Sequence, residues 1–245
     1  MKIRLSISII YTSILLVFCT SCIENRAVRI IKKSIAAHGG EEAWNNLESF
    51  SLEKETKLYL ENGEVENHIL QEIEFRQKPF FEAKMSWEKD SIFHKVVFDG
   101  SRTKYWMGEN EIQNEGFLAN KKKDIDAAYY VLTKPFDLLD KSKILKYQGI
   151  TKLADGREVE TVQVIDGDPE NPAVDIWWYF FDTESFQIVG YRVKTSGHFS
   201  MVYNQEWDNS TGILFPAKRE SYRVDSLGNH LYLRAKYHFK NFAVN

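Results

Sequence analysis

Clustered histidines and acidic loops are the patterns that bind metals or transfer protons, so their spacing is considered first. The six histidines are His38, His68, His94, His198, His230 and His238. None lies in a His-Glu-x-x-His pattern, and no pair has the spacing of a zinc site. We therefore interpret them as surface histidines and predict no metal centre.

The acidic loop from Asp166 to Glu170 places carboxylates at alternate positions, as a calcium-binding loop does. Its glycine is misplaced, and Trp177 occupies the position of the bidentate glutamate, so a solvated hairpin loop explains it better. The chain also lacks a nucleophile elbow, a P-loop and a GxGxxG segment. We predict no cofactor and no catalytic residue. A hydrolase whose carboxylates meet only on folding stays open as an alternative.

The first residues of the chain have the layout of an export signal. Lys2 and Arg4 are followed by an apolar segment, Ile7 to Phe18, that is too short to span a bilayer. The segment ends in Phe18-Cys19-Thr20-Ser21-Cys22. An ordinary signal peptide or a short membrane anchor is one explanation of this pattern.

Small residues followed by a cysteine also resemble the lipobox of bacterial lipoproteins, in which the signal is cut before a cysteine that takes a diacylglycerol. The resemblance implies a signal peptide over residues 1–21, lipidation at Cys22 and a tether over residues 22–27. Cys19 stands where leucine is usual, but lipidation at Cys19 itself is the weaker alternative because no small residue precedes it. The implied partner is a membrane, bound through acyl chains such as palmitate. The implied location is the cell envelope, at the outer membrane on its periplasmic side or at the cell surface.

Composition favours a folded acidic domain. The 245 residues carry a net charge of −3, and 43% of them are hydrophobic, including six tryptophans. Removing Lys2 and Arg4 with the signal leaves 30 basic against 35 acidic residues, a charge of −5. This balance does not suggest a nucleic-acid partner, and we expect a monomer. With both cysteines at the N-terminus, the mature domain has no disulfide.

Hydrophobic periodicity predicts a mainly β domain over residues 28–245. Short helices are predicted over Val28 to Ala37 and Glu41 to Leu47, and the period then changes to two. About eleven antiparallel strands follow, joined by tight turns such as Asn62-Gly63. A single amphipathic helix, Ala119 to Thr133, interrupts them and ends before Pro135. We predict a strongly curled sheet, a half-open barrel with this helix as its lid.

The strand from Val174 to Phe181 is apolar on both faces, with Trp178 and Phe180 on one and Trp177 and Tyr179 on the other. We therefore place it mid-sheet and covered on each side. Its aromatic side chains either fill the space under the helix or line a cavity for a guest. The predicted cavity residues are Trp106, Tyr129, Leu132, Phe136, Trp178, Phe180, Tyr203 and Trp207.

The arrangement of lipobox, short helix, antiparallel strands and helical excursion resembles the lipoprotein-localisation carrier and receptor group (LolA/LolB-like). Three segments, Ala37-His38-Gly39-Gly40, Leu132 to Phe136 and Gly212 to Pro216, also resemble uncharacterised Bacteroidetes-type lipoproteins of this architecture. The resemblance implies a half-open barrel capped by helices, with an apolar cavity that takes acyl chains.

We expect an envelope lipoprotein that is not an enzyme and that binds a lipid or acyl chain, with a role in lipid or lipoprotein trafficking. Two alternatives stay open. One is a structural or interaction lipoprotein with a solid core, and the other is the envelope hydrolase.

Overall fold

The computed structural model describes residues 25–245, so the predicted signal peptide and Cys22 lie outside the described residues. About 51% of the described residues are in strands. The helices are α1 (Arg26–Ala37), α2 (Glu41–Asn46) and α3 (Glu115–Leu132). The strands are β1 (Ser49–Tyr59), β2 (Val65–Arg76), β3 (Glu82–Lys89), β4 (Ile92–Phe98), β5 (Thr103–Met107), β6 (Asn110–Glu111), β7 (Lys143–Lys152), β8 (Glu158–Asp166), β9 (Ile176–Asp182), β10 (Ile188–Lys194), β11 (Phe199–Asp208), β12 (Phe215–Val224) and β13 (His230–Val244).

All thirteen strands belong to one antiparallel sheet, in the order β6-β5-β4-β3-β2-β1-β13-β12-β11-β10-β9-β8-β7. Strands β1 to β6 and strands β7 to β13 each form a meander, and the two meanders meet where β1 pairs with β13. The sheet is not closed, since β6 and β7 are its two edges. Helix α3 connects these edges along the chain. The predicted half-open fold with a helical cover is confirmed.

Helices α1 and α3 begin earlier than periodicity predicted, because their N-caps lie outside the apolar pattern, whereas α2 begins at Glu41 as predicted. The Asn25 side chain accepts a hydrogen bond from the Ala27 amide, and the Asn114 side chain accepts one from the Phe117 amide at 2.8 Å. Both are ordinary N-caps. Because α1 begins at Arg26, the last residues of the predicted tether are helical, and Ala27 is buried.

Helix α3 packs on one face of the sheet, which we call the inner face. Its Ile125 and Leu132 are buried against Phe50 and Phe75 of β1 and β2, and Phe215 of β12 stacks 5.4 Å from Phe50. Each such apolar side chain contributes roughly 1.5–3 kcal/mol when it leaves water. This cluster attaches the helix to the middle and the β6 side of the sheet.

Helix α1 covers the inner face of the other meander. Ile31 of α1 is fully buried among Val162, Tyr179 and Phe181 of β8 and β9. The Tyr179 hydroxyl donates to the Tyr130 hydroxyl of α3 at 3.2 Å. Strand β9 is thereby connected to both covering helices.

The end of α1 brings together two segments distant in sequence, Ala37 to Gly40 and Gly212 to Pro216. Gly39 has a φ of +112°, and a Cβ at this position would lie 2.5 Å from the Gly212 carbonyl oxygen. The amide of Leu214 donates to the His38 carbonyl at 3.1 Å. Glycine is therefore required at position 39 for two reasons: the backbone has a positive φ, and a side chain would collide with the Gly212 carbonyl.

Strand β9 lies between β8 and β10, as its two apolar faces predicted. It begins two residues later than predicted, because the Val174 amide closes a turn on the Asn171 carbonyl. Tyr179 and Phe181 lie on the inner face, and Phe180 lies on the outer face in a separate buried cluster with Met201 and Tyr203. Both faces of the strand are therefore packed, and only the inner one meets the helices.

Candidate ligand cavity

A hollow of about 650 Å³ lies between α3 and the inner face of the sheet. Nine of the thirteen strands and α3 contribute to its lining, so the sheet curves around it. The volume is within the range of small-molecule binding sites, roughly 300–1,000 Å³. The fold therefore leaves a space between lid and sheet that the protein's own side chains do not fill.

Two walls of the cavity are apolar. Ile69, Met85 and Val96 from β2 to β4 form one wall, and Trp177 and Val193 from β9 and β10 form the opposite wall. The roof is the face of α3 that carries Ala127, Ala128 and Val131. The small side chains at 127 and 128 leave room beneath the helix, where larger ones would fill it.

The floor between these walls is basic. Lys54 of β1 and Arg219 and Arg223 of β12 line it, together with Thr56 and Ser221. Strand pairing sets Thr56 opposite Tyr237 and Tyr237 opposite Arg219, so polar groups from three neighbouring strands form a row on the inner face. The cavity is therefore amphipathic, with a charged floor between apolar walls.

Lys54 has no hydrogen-bond or ion-pair partner among residues 25–245. Its ammonium nitrogen lies 5.6 Å from the centre of the Tyr237 ring. Burial lowers the pKa of Lys54 to about 8, the neighbouring Arg219 cation acts in the same direction, and Asp124 of α3 opposes both. The protein therefore carries an uncompensated cation where it is expensive to desolvate.

Arg219 is buried, with 3% of its surface exposed, and forms no ion pair among the described residues. Its guanidinium donates to the Tyr191 hydroxyl at 2.7 Å, while its Nε has no partner. The buried Oγ1 of Thr56 also has no partner. Two buried polar atoms without hydrogen-bond partners, Arg219 Nε and Thr56 Oγ1, therefore lie with Lys54 on the floor of the cavity.

The other charged groups of the lining are satisfied within the protein. Lys121 pairs with Asp124 at 2.6 Å, and Arg234 pairs with Glu66. Arg223 has no carboxylate partner, but its guanidinium donates to the Ser200 hydroxyl at 2.7 Å. Asp124 is the one carboxylate among the described residues that line the cavity.

A second hollow, of about 660 Å³, runs along the other flank of α3 beside the loop that precedes β9. It shares Ala127, Val131, Trp177 and Val193 with the first hollow. Asp175 lies on its rim, and burial raises the pKa of this carboxyl group. The shared residues show that the two hollows adjoin along this flank of α3.

The aromatic residues predicted to line a cavity lie elsewhere. Trp178, Phe180 and Tyr203 are on the outer face, because strand alternation turns them away from the helices. Trp106 packs under the Lys95 ammonium, 5.1 Å from its ring centre, on the face opposite its buried neighbour Tyr105. Because both faces of β9 are apolar, its sequence could not show which face would contact α3.

The remaining four predicted residues are on the inner side but are used for packing. Tyr129 and Leu132 bury against the sheet, and Phe136 stacks on Trp44 at 4.4 Å. Trp207 meets the His38 ring edge-on at 5.1 Å. The sequence prediction did not include Lys54 and Arg219. Lys54 has a recognisable signal, because it is a charge on the phase of β1 that carries Phe50 and Leu52, whereas the phase of Arg219 on β12 also carries Ser221 and Arg223.

Among residues 25–245, no group of three or more histidine, cysteine, aspartate or glutamate side chains converges. Two histidines were wrongly interpreted as surface residues. His38 is fully buried, and His94 is buried with its Nδ1 2.5 Å from the Tyr105 hydroxyl. Each occupies an interior position and forms a hydrogen bond through its ring.

Thr195 and His198 lie close enough to act as a nucleophile and its base. The Thr195 hydroxyl lies 3.2 Å from His198 Nδ1, and Asp175 is near enough to influence the histidine. The same hydroxyl accepts from the amides of Gly197 and His198, and the Thr195 amide donates to the His198 carbonyl. These contacts are those of the β10–β11 turn, so turn formation accounts for the pair.

No helix within residues 25–245 is both long enough and apolar enough to cross a membrane.

No family model and no curated protein matches the chain in sequence. In structure, a DUF1329 family protein from Desulfovibrio piger aligns over 90% of this chain and 94% of its own, with a TM-score of 0.56 and 8% identity. An outer membrane lipoprotein-sorting protein domain from Vibrio parahaemolyticus aligns over 89% of this chain and 92% of its own, with a TM-score of 0.54 and 7% identity.

At these identities the comparisons define the fold. The chain shares the fold of these two proteins, which is the architecture that the resemblance to the LolA/LolB-like group implied. Fold alone does not fix a ligand, so function is argued from the cavity.

Proposed function

We propose that this protein is an envelope lipoprotein that binds a lipid or acyl chain between α3 and the inner face of the sheet. The observation that carries the proposal is the 650 Å³ hollow with two apolar walls and a roof of small residues. A chain with a solid core would fill such a space, because protein interiors pack as densely as organic crystals. The shared fold with a lipoprotein-sorting domain supports the same role.

Ligand binding can be tested by placing a large side chain on the face of α3 that lines the hollow. The sheet and its three hydrophobic clusters lie within residues 25–245, so a chain of these residues retains the whole core. We expect native mass spectrometry and solvent extraction to recover a co-purified acyl lipid from it. Ala127→Trp places an indole in the hollow and should reduce the recovered lipid at least severalfold. Lys123→Trp, at an exposed position of the same helix outside the lining, is the matched control.

Lipid-free protein that also fails to take up added palmitate or hexadecanol would overturn the proposal. So would equal lipid recovery from both tryptophan variants. Circular dichroism would establish that each variant is folded before the recoveries are compared.

Anchoring through Cys22 is a separate part of the proposal and rests on the sequence. In the full chain produced in a bacterium, Cys22→Ala should abolish incorporation of labelled palmitate and release the protein from membranes. Cys19→Ala should leave both unchanged. Labelling that depends on Cys19 would move the anchor, and labelling that persists in both variants would refute it.

A further inference from the structure

We infer that Lys54, Thr56 and Arg219 form a subsite for the anionic oxygens of an amphiphile whose chain occupies the apolar walls. This inference rests on the proposed function and specifies the ligand class: a long acyl or alkyl chain that ends in a carboxylate or a phosphate. The same chain with a neutral head would fit the walls but leave the floor unsatisfied.

The first step of the argument is the imbalance of charge. The lining carries Lys54, Lys121, Arg219, Arg223 and Arg234 against Asp124 alone, whereas the whole chain has a net charge of −3. Lys121 and Arg234 have carboxylate partners, and Lys54, Arg219 and Arg223 have none among the described residues. A basic floor inside an acidic protein concentrates the electrostatic attraction for an anion at one place.

The second step is the state of the individual groups. A guanidinium that is 97% buried normally has a carboxylate beside it, because isolated buried charges are costly. Arg219 instead donates to a neutral hydroxyl and leaves its Nε unused. The Thr56 hydroxyl is buried without a partner in the same row of strands. The Arg219 Nε and Thr56 hydroxyl can therefore donate hydrogen bonds to anionic oxygens whose charge Lys54 would balance.

The third step is position. Lys54 and Arg219 lie on strands β1 and β12, which flank β13 at the centre of the sheet, with apolar walls on either side. A head group bound there leaves its chain in contact with Ile69 and Met85 or with Trp177 and Val193. The floor and walls therefore match one amphipathic molecule better than two separate ligands.

The experiment compares ligands of one chain length by displacement of the neutral dye N-phenyl-1-naphthylamine from residues 25–245. We expect palmitate and hexadecyl phosphate to displace the dye at concentrations at least tenfold lower than hexadecanol. Hydrogen bonds to charged groups account for about tenfold to a hundredfold in affinity. Hexadecyltrimethylammonium should be the weakest, because the floor repels it.

Variants assign the preference to the subsite. Lys54→Met and Arg219→Met should each reduce the preference for palmitate about tenfold and leave hexadecanol unchanged. Arg219→Lys keeps the charge and should retain part of the preference, which controls for misfolding of the methionine variant. Lys57→Met is the matched control, because Lys57 lies on the same strand on the outer face beside Glu55.

Each outcome decides a different point. Equal affinities for palmitate and hexadecanol, or an equal loss in Lys57→Met, would overturn the head-group subsite and leave the proposed function intact. Inorganic phosphate that competes as strongly as hexadecyl phosphate would reassign the site to a free anion and overturn the amphiphile. Absence of displacement by every ligand would overturn the proposed function and the inference together.

Discussion

At the scale of single residues, burial determines what a polar side chain does in this protein. His38 lies at the end of α1, and its Nδ1 donates to the Ser34 carbonyl at 2.8 Å, while its Nε2 has no partner. The ring is edge-on to Trp207. Burial lowers the pKa of His38 to about 4, and the Ser34 carbonyl opposes that shift. The histidine is therefore a neutral packing element at neutral pH.

This burial predicts a pH-dependent stability. Between pH 6.5 and about 4 the unfolded chain binds a proton at His38 that the folded chain does not, so stability falls as the pH falls through this window. The loss reaches roughly 3 kcal/mol, from 1.36 kcal/mol per pKa unit. Urea unfolding of wild type and His38→Gln at pH 7 and pH 4.5 measures it as the difference between the two proteins.

His68→Gln is the control for this comparison, because the His68 ring is exposed on the sheet surface beside Glu55. The prediction fails if wild type and His38→Gln lose the same stability on acidification. The sequence marked His38 as a helix end beside Gly39, but its burial depends on Trp207 and Leu214, which are far away along the chain.

At the scale of elements, local patterns predicted strands and helices well and their partners poorly. The period-two pattern located the strands because each presents an apolar phase to the core, although β6, with two residues, is too short to show one. The apolar stripe of α3 predicted a lid on a sheet face. The same reasoning could not show that Trp177, and not Trp178, would meet it, since both phases of β9 are apolar.

The docking of α1 offers a test at this scale. Ile31→Ala removes a fully buried side chain from the contact with β8 and β9, and should lower the free energy of unfolding by about 2–5 kcal/mol. Arg29→Ala on the exposed side of the same helix should change it by less than about 0.5 kcal/mol. Chemical denaturation of the two variants decides the point, and similar effects would mean that α1 does not dock as described.

At the scale of the whole molecule, the pairing of β1 with β13 unites the two meanders, and local sequence could not predict it. The amide of Asn245 donates to the Ser49 carbonyl at 2.9 Å, and the amide of Glu48 donates to the Asn245 carbonyl at 2.8 Å. Phe242 of β13 stacks on Phe215 at 4.7 Å. The cavity floor depends on the same junction, because its basic residues lie on strands that come together only here.

A substitution at this junction should affect the entire fold. Phe242→Ala should lower the free energy of unfolding by about 3–5 kcal/mol, since it leaves a void beside Phe215 and Phe50. Phe80→Ala is the matched control, because that ring is 52% exposed. Thermal unfolding followed by circular dichroism should show one cooperative transition at a lower temperature for Phe242→Ala. A separate transition in which only the meander of β7 to β13 unfolds would contradict this description of the junction.

The strand order has a consequence for how the chain is made. The central pair of the sheet joins the first strand to the last, so it is the contact most distant in sequence and the one with the greatest loop-closure cost. Until residues 230–244 are available, β1 has a partner on one side only, and the two meanders cannot combine around the cavity. A nascent chain therefore cannot complete this sheet before residues 230–244 have been synthesised and released from the ribosome. The unpaired edge of β1 therefore stays open for as long as the synthesis of the second meander takes.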